Sequence, residues 1–551
     1  MKAKHITFPI NILVTFLLLS VLSSCGGFLD EDPRDALYEH QAFKDMESLR
    51  RNALLNVYNY IGGSEDSQGL QGTAKGVYDL NSLTTDEQII PIRGGDWYDG
   101  GLWVRLFMHA WTAGEGPFKD TWDYLYKVVM LCNEGIENVT NYQKSCESEA
   151  DMVQPYIYEL RAIRAMYYFY LMDLYGRVPI VTDVHTKSRD MVLSPRSETF
   201  RFIIKELQEV EPFLSDENSS VEGSEYYGRV TKPVVWFLLA KLCLNAEIYS
   251  DDNWTDDVRP DGKNIFFTVD GMKKNAWEAV AYYCYKLSFT HSLELLYQNC
   301  FKVNNVNTEE NIFTIPMNPL VYSNVYNYFY RSRHYSHGAA LGGASENGAC
   351  ATVTTIKTFG YGTNKPDYRM LVNFYVDEVR ENNVPVFEDD GSTPLVYHPL
   401  AVTDINLTGT TYEKTAGARL RKYAFDATAR ADGRMSNNDI VLFRYSDALL
   451  MWAEAEIRNG GDGSEYLNSV RERSFQNPIS NPTLDDVYRE RLLELVWEGW
   501  RRNDMIRFDR FHLPYDIRVM VAGESNRYTI VFPIPSDIIA MHPGWKQNKG
   551  Y

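Results

Sequence analysis

The sequence predicts a mainly α-helical protein with one long loop-rich insertion. Apolar residues recur at helical spacing in several long segments. Helices in the first half carry small residues, chiefly alanine, on their apolar faces, and several connections between them are short. These features suit antiparallel helix pairs stacked as in tetratricopeptide proteins. No clean self-similarity with a period of about 34 residues is visible, so any repeat is degenerate or interrupted.

The chain begins with a secretory signal. Lys2 and Lys4 precede an apolar run from Ile6 to Leu22, and Cys25 directly follows Leu-Ser-Ser. This order is typical of bacterial lipoproteins, so we predict that residues 1–24 are removed and that Cys25 is lipidated. The alternative, an uncleaved transmembrane helix, is disfavoured because the run is short. Two acyl attachments would anchor the mature chain stably in a membrane.

Charge and cysteine content exclude some classes of partner and of site. The formal net charge of −19 argues against nucleic acid, because phosphate binding depends on clustered lysine and arginine. No Cys-x-x-Cys pair is present, and Cys243 and Cys284 lie within apolar helical patterns, so we predict buried thiols there. His334 and His337 have a metal-compatible spacing, but no further ligand completes a site. We therefore expect no metal and no cofactor.

The helices can be placed by their apolar periodicity and end signals. Thr231 is a predicted N-cap, and Thr483 with Asp486 forms a predicted capping box. Charged residues near the end, Arg489, Arg491, Glu494 and Glu498, have the i, i+3 and i+4 spacing of an exposed helix face. The predicted helices are Tyr38–Tyr60, Pro117–Asn138, Pro155–Tyr175, Phe200–Leu214, Thr231–Tyr249, Gly271–Ser288, Asp439–Arg458 and Thr483–Phe508.

A glycine-rich stretch from Arg93 to Trp103 is the best candidate for ligand contact. Its glycines permit positive φ angles, so the segment is a shaped loop that carries aromatic, acidic and basic side chains. Aromatic faces beside short polar groups suit a sugar, which has an apolar face and a hydroxyl rim. Two alternatives remain: a structural loop whose tryptophans are buried, and a glycosidase acid pair. The predicted ligand residues are Arg93, Asp96, Trp97, Tyr98 and Asp99, and the acid pair would be Asp96 with Asp99 or Asp86 with Glu87.

Between about residues 293 and 437 the strong helical signals pause, and tyrosine, asparagine and glycine accumulate. Long irregular insertions are often functional, so we predict a second wall of the binding surface here. The alternative is that the tyrosines only pack a long loop onto the helices. The aromatic residues of this region include Tyr322, Tyr326, Tyr328, Phe329, Tyr330 and Tyr335.

Several ordered motifs give the chain a family resemblance. Cys25 is followed by Phe28-Leu29-Asp30, and Thr85-Asp86-Glu87 precedes the glycine-rich loop. The later motifs are Phe443–Ala455, Glu498–Arg507 and the terminal Gln547–Tyr551, in which Lys549 replaces a proline. With these motifs, nearly the whole chain resembles the RagB/SusD family of Bacteroidota outer-membrane lipoproteins, the glycan-binding partners of TonB-dependent SusC-type transporters.

The resemblance implies a fold and a function. The fold would contain four tetratricopeptide-like helix pairs with a loop-rich face carrying a few short strands. It would comprise an N-terminal part, 25–230, which holds the ligand loop 85–111, and a C-terminal part, 231–551, folded together as one unit. The function would be capture of oligo- or polysaccharide at the cell surface and its delivery to a SusC-like transporter, without catalysis. A helical-repeat scaffold that only binds protein is the alternative.

The resemblance also implies which residues contact the glycan. It places Arg93, Trp97 and Tyr98 in an aromatic arc, with Asp96 and Asp99 as polar partners. The family's asparagine just after this point has no counterpart, because Gly100, Gly101 and Leu102 stand there. A second aromatic set is expected by region alone, and its predicted members are Tyr297, Tyr322, Tyr326 and Tyr328.

Overall fold

The computed structural model describes residues 42–63, 68–71, 73–318, 326, 328–428 and 436–551. Cys25 and Tyr322, and the start of the first predicted helix, lie outside these ranges, as does the side chain of Tyr328. The chain divides into two compact units, with the boundary between Leu49 and Arg50. Of the first unit, the described part contains the short helix Met46–Leu49, and the second unit runs from Arg50 to Tyr551.

The protein is mainly helical, as predicted, with about 46% of its residues in helices. The eight longest described helices and the helix Arg501–Arg507 provide the frame to which the loops attach. We label these nine helices α1 (Gly116–Ser145), α2 (Ala150–Tyr175), α3 (Arg196–Val210), α4 (Lys232–Leu244), α5 (Ala276–Leu287), α6 (Tyr445–Asn459), α7 (Ser464–Arg473), α8 (Leu484–Leu495) and α9 (Arg501–Arg507). Shorter helices are Asn56–Gly62, which continues the π-helix Arg50–Leu55, and Val77–Ser82, Leu102–Phe107, Ala246–Tyr249, Tyr328–Arg331, Tyr335–Leu341, Val353–Thr358, Arg369–Asn373 and Ser536–Met541.

Neighbouring helices pack against each other in sequence order. Helix α1 packs on α2, α2 on α3, α4 on α5, α5 on α6, and α6 on both α7 and α8. Close approach at α1 depends on Gly135, where an added Cβ would lie 2.6 Å from the carbonyl oxygen of Ala53 and 2.9 Å from a methyl group of Leu160. Helix α4 is buried from Pro233 to Leu244, and Lys241 is the one charged residue in that stretch, which makes it a central helix. Among the described helices, none is both long and apolar enough to cross a membrane.

The described strands form short two-stranded antiparallel ladders. The longest joins β1 (Asn311–Ile315) to β2 (Ile440–Arg444), and both strands are fully buried. The others pair Gln88–Ile89 with Cys350–Ala351, Val178–Pro179 with Leu193–Ser194, Phe266–Val269 with Met272–Asn275, Phe374–Tyr375 with Arg419–Leu420, Asp377–Glu378 with Val396–Tyr397, and Arg380–Glu381 with Val384–Pro385. These ladders hold the loop-rich region against the helices.

Three predicted helices are wrong in part. The segment Gly271–Ser288 begins with the strand Met272–Asn275, and its helix starts only at Ala276. The segment Asp439–Arg458 begins with strand β2, and its helix starts only at Tyr445. The segment Thr483–Phe508 is interrupted between α8 and α9, where Trp497 and Gly499 have φ angles of 67° and 76°. The capping box of Thr483 and Asp486 is confirmed. The thiols of Cys243 and Cys284 are also confirmed as free and buried.

A buried ionic cluster joins β2 to the C-terminal helices. Arg444, at the end of β2, donates to Glu310, Glu494 and Glu498, at 2.8 Å for Glu494 Oε1 and 2.7 Å for Glu498 Oε1. Arg473 also pairs with Glu310 and Glu494. Burial alone would raise the pKa of Glu494, but Arg473, Arg444 and a third arginine hold it well below its ordinary value. Each of these buried charges has a partner of opposite sign, so removing one partner would leave an uncompensated buried charge.

The same cluster corrects the predicted exposed face of α8. Arg491 and Glu494 are fully buried, and Arg491 donates to Asp447 of α6 and Asp504 of α9, both at 2.7 Å. Lys241 of α4 reaches the same Asp447 at 2.5 Å. These ion pairs therefore connect the four helices α4, α6, α8 and α9, and they lie in the core rather than at the surface.

Candidate functional site

The stretch from Arg93 to Gly101 is a tight surface loop. The backbone N–H of Arg93 donates to the carbonyl of Asp96 at 3.1 Å, and the N–H of Asp96 donates back at 3.2 Å. Gly94 between them has a φ of 69°, a conformation that glycine adopts without strain. Trp97 and Asp99 also have positive φ, at 67° and 42°. This backbone turns successive side chains in different directions.

Arg93 lies beneath the loop, and its prediction as a ligand contact is wrong. It is fully buried, and its guanidinium donates to the carbonyl oxygens of Glu413 at 3.0 Å and Ala416 at 2.8 Å. Burial lowers its pKa to about 9, and the nearby Arg419 adds to this shift. Arg93 therefore fastens the loop to the 413–416 segment, because its planar fork bonds main-chain acceptors that no solvent reaches.

Trp97 is partly buried and is held at both ends of its indole. Its Nε1 donates to the carbonyl oxygen of Glu346 at 2.9 Å, and its ring lies 6.1 Å from that of Trp103 at an interplanar angle of 57°. A Cβ added at Gly348 would meet the Trp97 ring at 2.5 Å. Trp97 therefore both packs the loop and leaves only part of its surface for a ligand.

Tyr98 and the two aspartates form the solvent side of the loop. The Tyr98 side chain is 59% exposed. Asp99 accepts from Trp103 Nε1 at 2.6 Å and lies 3.6 Å from Lys75 Nζ, in both cases through Oδ2. Asp96 accepts from Lys414 Nζ at 3.1 Å. An exposed ring thus stands beside two carboxylates that are already held in place.

The second wall comes from Tyr335, at the start of the helix Tyr335–Leu341. Its hydroxyl donates to Asp96 Oδ2 at 3.1 Å, and its side chain is 39% exposed. Burial and the hydrogen bond to Asp96 raise its pKa to about 12. We call the surface formed by Asp96, Trp97, Tyr98, Tyr335 and Lys414 the loop patch. The insertion therefore supplies an aromatic ring to this surface through Tyr335, which lies outside the predicted second aromatic set.

Two of the regional predictions are corrected. Tyr297 is fully buried, and its hydroxyl bonds Asn373 Oδ1 at 3.0 Å and the carbonyl of Glu494 at 3.1 Å. Tyr326 is also buried, with its hydroxyl 3.2 Å from the carbonyl of Gly62. Neither ring faces solvent, so neither can stack on a ligand from outside. Tyr322 and the Tyr328 side chain lie outside the described residues.

The acid pair Asp86 and Glu87 does not have the environment of a glycosidase. Asp86 lines a cavity of about 390 Å³, but both of its oxygens bond Arg501, at 2.6 and 2.8 Å. Glu87 is buried and accepts from Ser82 Oγ at 2.6 Å, and burial raises its pKa to about 7. An acid that protonates a glycosidic oxygen must reach the substrate, and Glu87 does not reach the surface.

The predicted histidine pair has structural partners. His337 is buried, with Nε2 2.8 Å from Glu381 and Nδ1 3.0 Å from the Tyr397 hydroxyl. The backbone N–H of His334 also donates to the Tyr397 hydroxyl, at 3.0 Å. Over the described ranges, no group of three or more His, Cys, Asp or Glu side chains could hold a metal ion.

Comparison with known proteins identifies the family. A model described as "SusD family" matches residues 403–551, and one described as "Starch-binding associating with outer membrane" matches residues 27–244. The starch-binding protein SusD of Bacteroides thetaiotaomicron is 23% identical over an alignment of 610 positions, gaps included, that covers 100% of both chains. This chain belongs to the SusD family. A SusD-like protein of Bacteroides ovatus is 24% identical over 93% of this chain and 83% of its own length.

Solved structures confirm the SusD-like fold. A SusD superfamily protein from Parabacteroides distasonis has a TM-score of 0.67 at 18% identity and covers 92% of this chain and 99% of its own. A surface glycan-binding protein from Bacteroides thetaiotaomicron in complex with laminarihexaose has a TM-score of 0.65 at 19% identity, with 91% and 99% covered. The C-terminal family match contains most of the buried ionic cluster, including Arg444, Asp447 and Glu494.

Proposed function

We propose that this SusD family member captures glycans at the cell surface through the loop patch and performs no chemistry on them. The observation that carries the proposal is the exposed Tyr98 ring beside Asp96, which Tyr335 and Lys414 hold in place. A pyranose offers an apolar face to such rings and hydroxyl donors to carboxylates. Similar proteins include a starch-binding protein and a surface glycan-binding protein, which supports the same ligand class.

Glycan binding at the open loop patch should be weak. Exposed aromatic contacts contribute on the order of 1 kcal/mol each, and hydrogen bonds add similar amounts. A few such contacts together should give about 4 to 8 kcal/mol, which corresponds to a Kd in the millimolar to micromolar range. Affinity electrophoresis of the purified chain through gels containing different polysaccharides tests the proposal, and retardation by at least one glycan is expected. A reducing-end assay with the same polysaccharides should show no cleavage. Release of reducing ends by the purified chain would instead favour a hydrolase.

Delivery to a SusC-like, TonB-dependent transporter in the outer membrane is the second part of the proposal. A row of aromatic side chains runs from the segment just after α5 across α5, α6 and α7. We call it the aromatic ridge, and its members in spatial order are Phe289, Tyr285, Trp452 and Tyr466. Successive ring centroids lie 4.8, 6.4 and 4.0 Å apart, and Phe289 is 70% exposed. Exposed apolar surface of this kind is typical of protein interfaces.

Copurification from outer membranes tests the transporter partnership. The tagged chain should retain a SusC-like barrel protein in mild detergent, and failure to do so with glycan binding intact would contradict this part. A barrel partner without any glycan binding would favour the scaffold alternative.

The membrane anchor is proposed at Cys25, which lies outside the described residues. Its position directly after Leu-Ser-Ser supports lipidation. A clickable fatty acid should label the wild-type chain, whereas Cys25→Ala should stay unlabelled. Equal labelling of both chains would contradict the anchor.

A further inference from the structure

We infer that the loop patch selects neutral glycans and excludes uronic-acid or sulfated ones, an inference that rests on the proposed function of this patch. The reason is the pairing of charges around the loop. The patch offers open acceptor oxygens to hydroxyl donors, whereas its cations already have partners.

Both solvent-facing ammonium groups at the loop are paired with its own carboxylates. Lys414 Nζ lies 3.1 Å from Asp96 Oδ2 and also donates to the carbonyl of Arg93 at 3.3 Å. Lys75 Nζ lies 3.6 Å from Asp99 Oδ2 and 5.7 Å from the centre of the Trp103 ring. A carboxylate or sulfate on a sugar could recruit either ammonium group only by competing with an aspartate that belongs to the loop.

The nearby guanidinium groups are paired as well. Arg105 bonds both oxygens of Glu115, at 2.6 and 2.9 Å, and Arg331 bonds both oxygens of Asp79, at 2.8 and 2.6 Å. In a bidentate pair, two N–H donors of the guanidinium already bind a carboxylate, so they are not free to bind the acidic group of a sugar. Around the described part of the loop, the half-buried Arg105 and the buried Arg331 are therefore both paired and offer no free recognition site for an anion.

Two buried arginines lie beneath the patch but cannot reach a ligand. Arg93 and Arg419 are fully buried, and the guanidinium of Arg419 donates to Asn347 Oδ1 and to the carbonyl of Lys414, both at 3.0 Å. Arg93 likewise donates to main-chain carbonyls, those of Glu413 and Ala416, so the donor groups of both arginines are directed at the protein rather than at solvent.

The two loop aspartates supply acceptors for neutral sugars. Among the described residues, the bonds to Asp96 and to Asp99 all go to Oδ2, which leaves Oδ1 of each carboxylate for an incoming donor. A carboxylate accepts hydrogen bonds and donates none. Sugar hydroxyls can donate to both Oδ1 atoms, whereas a carboxylate or sulfate of the sugar would meet like charge. The acceptors at the loop therefore favour uncharged chains.

Affinity measurements with named polysaccharides test the inference on the purified full chain in detergent. The probes are laminarin and amylopectin as neutral chains, and polygalacturonate and chondroitin sulfate as acidic ones. Wild type should bind a neutral chain at least about tenfold more tightly than either acidic chain, a difference of about 1.4 kcal/mol. Raising NaCl from about 50 to 500 mM should change that affinity less than about twofold, because no ion pair with the ligand is screened.

Two variants should shift the preference toward acidic chains. Asp96→Asn releases Lys414, and Asp99→Asn releases Lys75, so each should raise the ratio of acidic to neutral affinity at least about fivefold. Asp123→Asn is the matched control, because it breaks the exposed pair with Lys119 on α1 and changes net charge equally. The ratio should stay unchanged in this control.

The possible outcomes distinguish failure of the neutral selectivity from failure of glycan capture itself. Equal or tighter wild-type binding of polygalacturonate or chondroitin sulfate would overturn the neutral selectivity while supporting glycan capture. An unchanged ratio in both aspartate variants, with folding intact, would also overturn it. Failure of every polysaccharide to bind would instead refute the proposed function, and the selectivity with it.

Discussion

The indole Nε1 of Trp97 donates to the carbonyl oxygen of Glu346 at 2.9 Å, across 249 residues of sequence. The most conspicuous aromatic of the early loop is therefore attached to the long insertion, and it helps to build the surface that it belongs to. Tyr98, one residue later, has its ring in solvent. Neighbouring aromatics in one loop thus have different roles, and substitutions can separate them.

Replacing Trp97 should reduce both stability and glycan binding. Trp97→Ala removes the bond to Glu346 and the contact with Trp103, so we expect a loss of about 2 kcal/mol in the free energy of unfolding. Tyr98→Ala, at an exposed position, should change this free energy by less than about 0.5 kcal/mol. Chemical denaturation measures both values. Equal stability of the two variants would contradict the structural role assigned to Trp97.

Removing the arginine at the centre of the buried ionic cluster should be severely destabilising. Arg444→Met leaves Glu310, Glu494 and Glu498 buried without their shared partner, which should cost about 3–5 kcal/mol in the free energy of unfolding. The matched control is Arg380→Met, which breaks the exposed pair with Glu378 and should cost less than about 1 kcal/mol. Similar losses in urea denaturation would contradict the importance given to the cluster.

The buried carboxyl of Glu87 should make stability fall as pH rises. Its folded-state pKa is about 7, whereas its ordinary value is 4.5, so between these values the unfolded chain ionises and the folded chain stays protonated. This contribution is complete below the ordinary pKa and is lost as pH rises through the folded-state pKa. Glu87→Gln lacks this titration, so its stability relative to wild type should increase by roughly 3 kcal/mol from pH 4.5 to 8. Denaturation curves across this range check the sign, and a flat or decreasing difference would contradict it.

The aromatic ridge should affect transporter association without affecting glycan capture. Phe289→Glu places a charge on the most exposed ring of the ridge, and an unpaired charge in an interface is costly. We expect this variant to lose copurification of the SusC-like partner and to keep wild-type retardation in polysaccharide gels. Retained copurification would place the transporter contact elsewhere on the protein.

The periodicity of apolar residues predicts most of the helical frame. It does not distinguish a short helix from a buried strand, or an exposed charged helix face from a buried one. The apolar run from Ile440 to Phe443 fits a buried strand as well as a helix, and its pairing with β1 decides the outcome. The spacing of Arg491 and Glu494 on α8 is equally compatible with an exposed face and with a buried one. Only the packing of α6 and α9 on α8 shows that these charges are inside.

The sequence predicts the position of the loop, but it does not predict which side chains of the loop face solvent or which distant segments pack against it. Glycine content located the turn, and the exposed Tyr98 fits the predicted ligand side. The burial of Arg93 depends on the carbonyls of Glu413 and Ala416, more than 300 residues away in sequence, and Tyr335 joins Asp96 across 239 residues. Such long-range contacts leave no local pattern in the sequence. For the same reason, Tyr297 could be selected by region although its ring lies in the core.

Isothermal titration of the double variant Tyr98→Ala/Tyr335→Ala with a polysaccharide that binds wild type tests the central claim most directly. Loss of both exposed rings of the loop patch should weaken binding about tenfold or more while leaving the unfolding transition nearly unchanged. Phe266→Ala, at an exposed aromatic on the hairpin before α5, is the control and should bind as wild type does. Wild-type affinity in the double variant would contradict glycan capture by the loop patch.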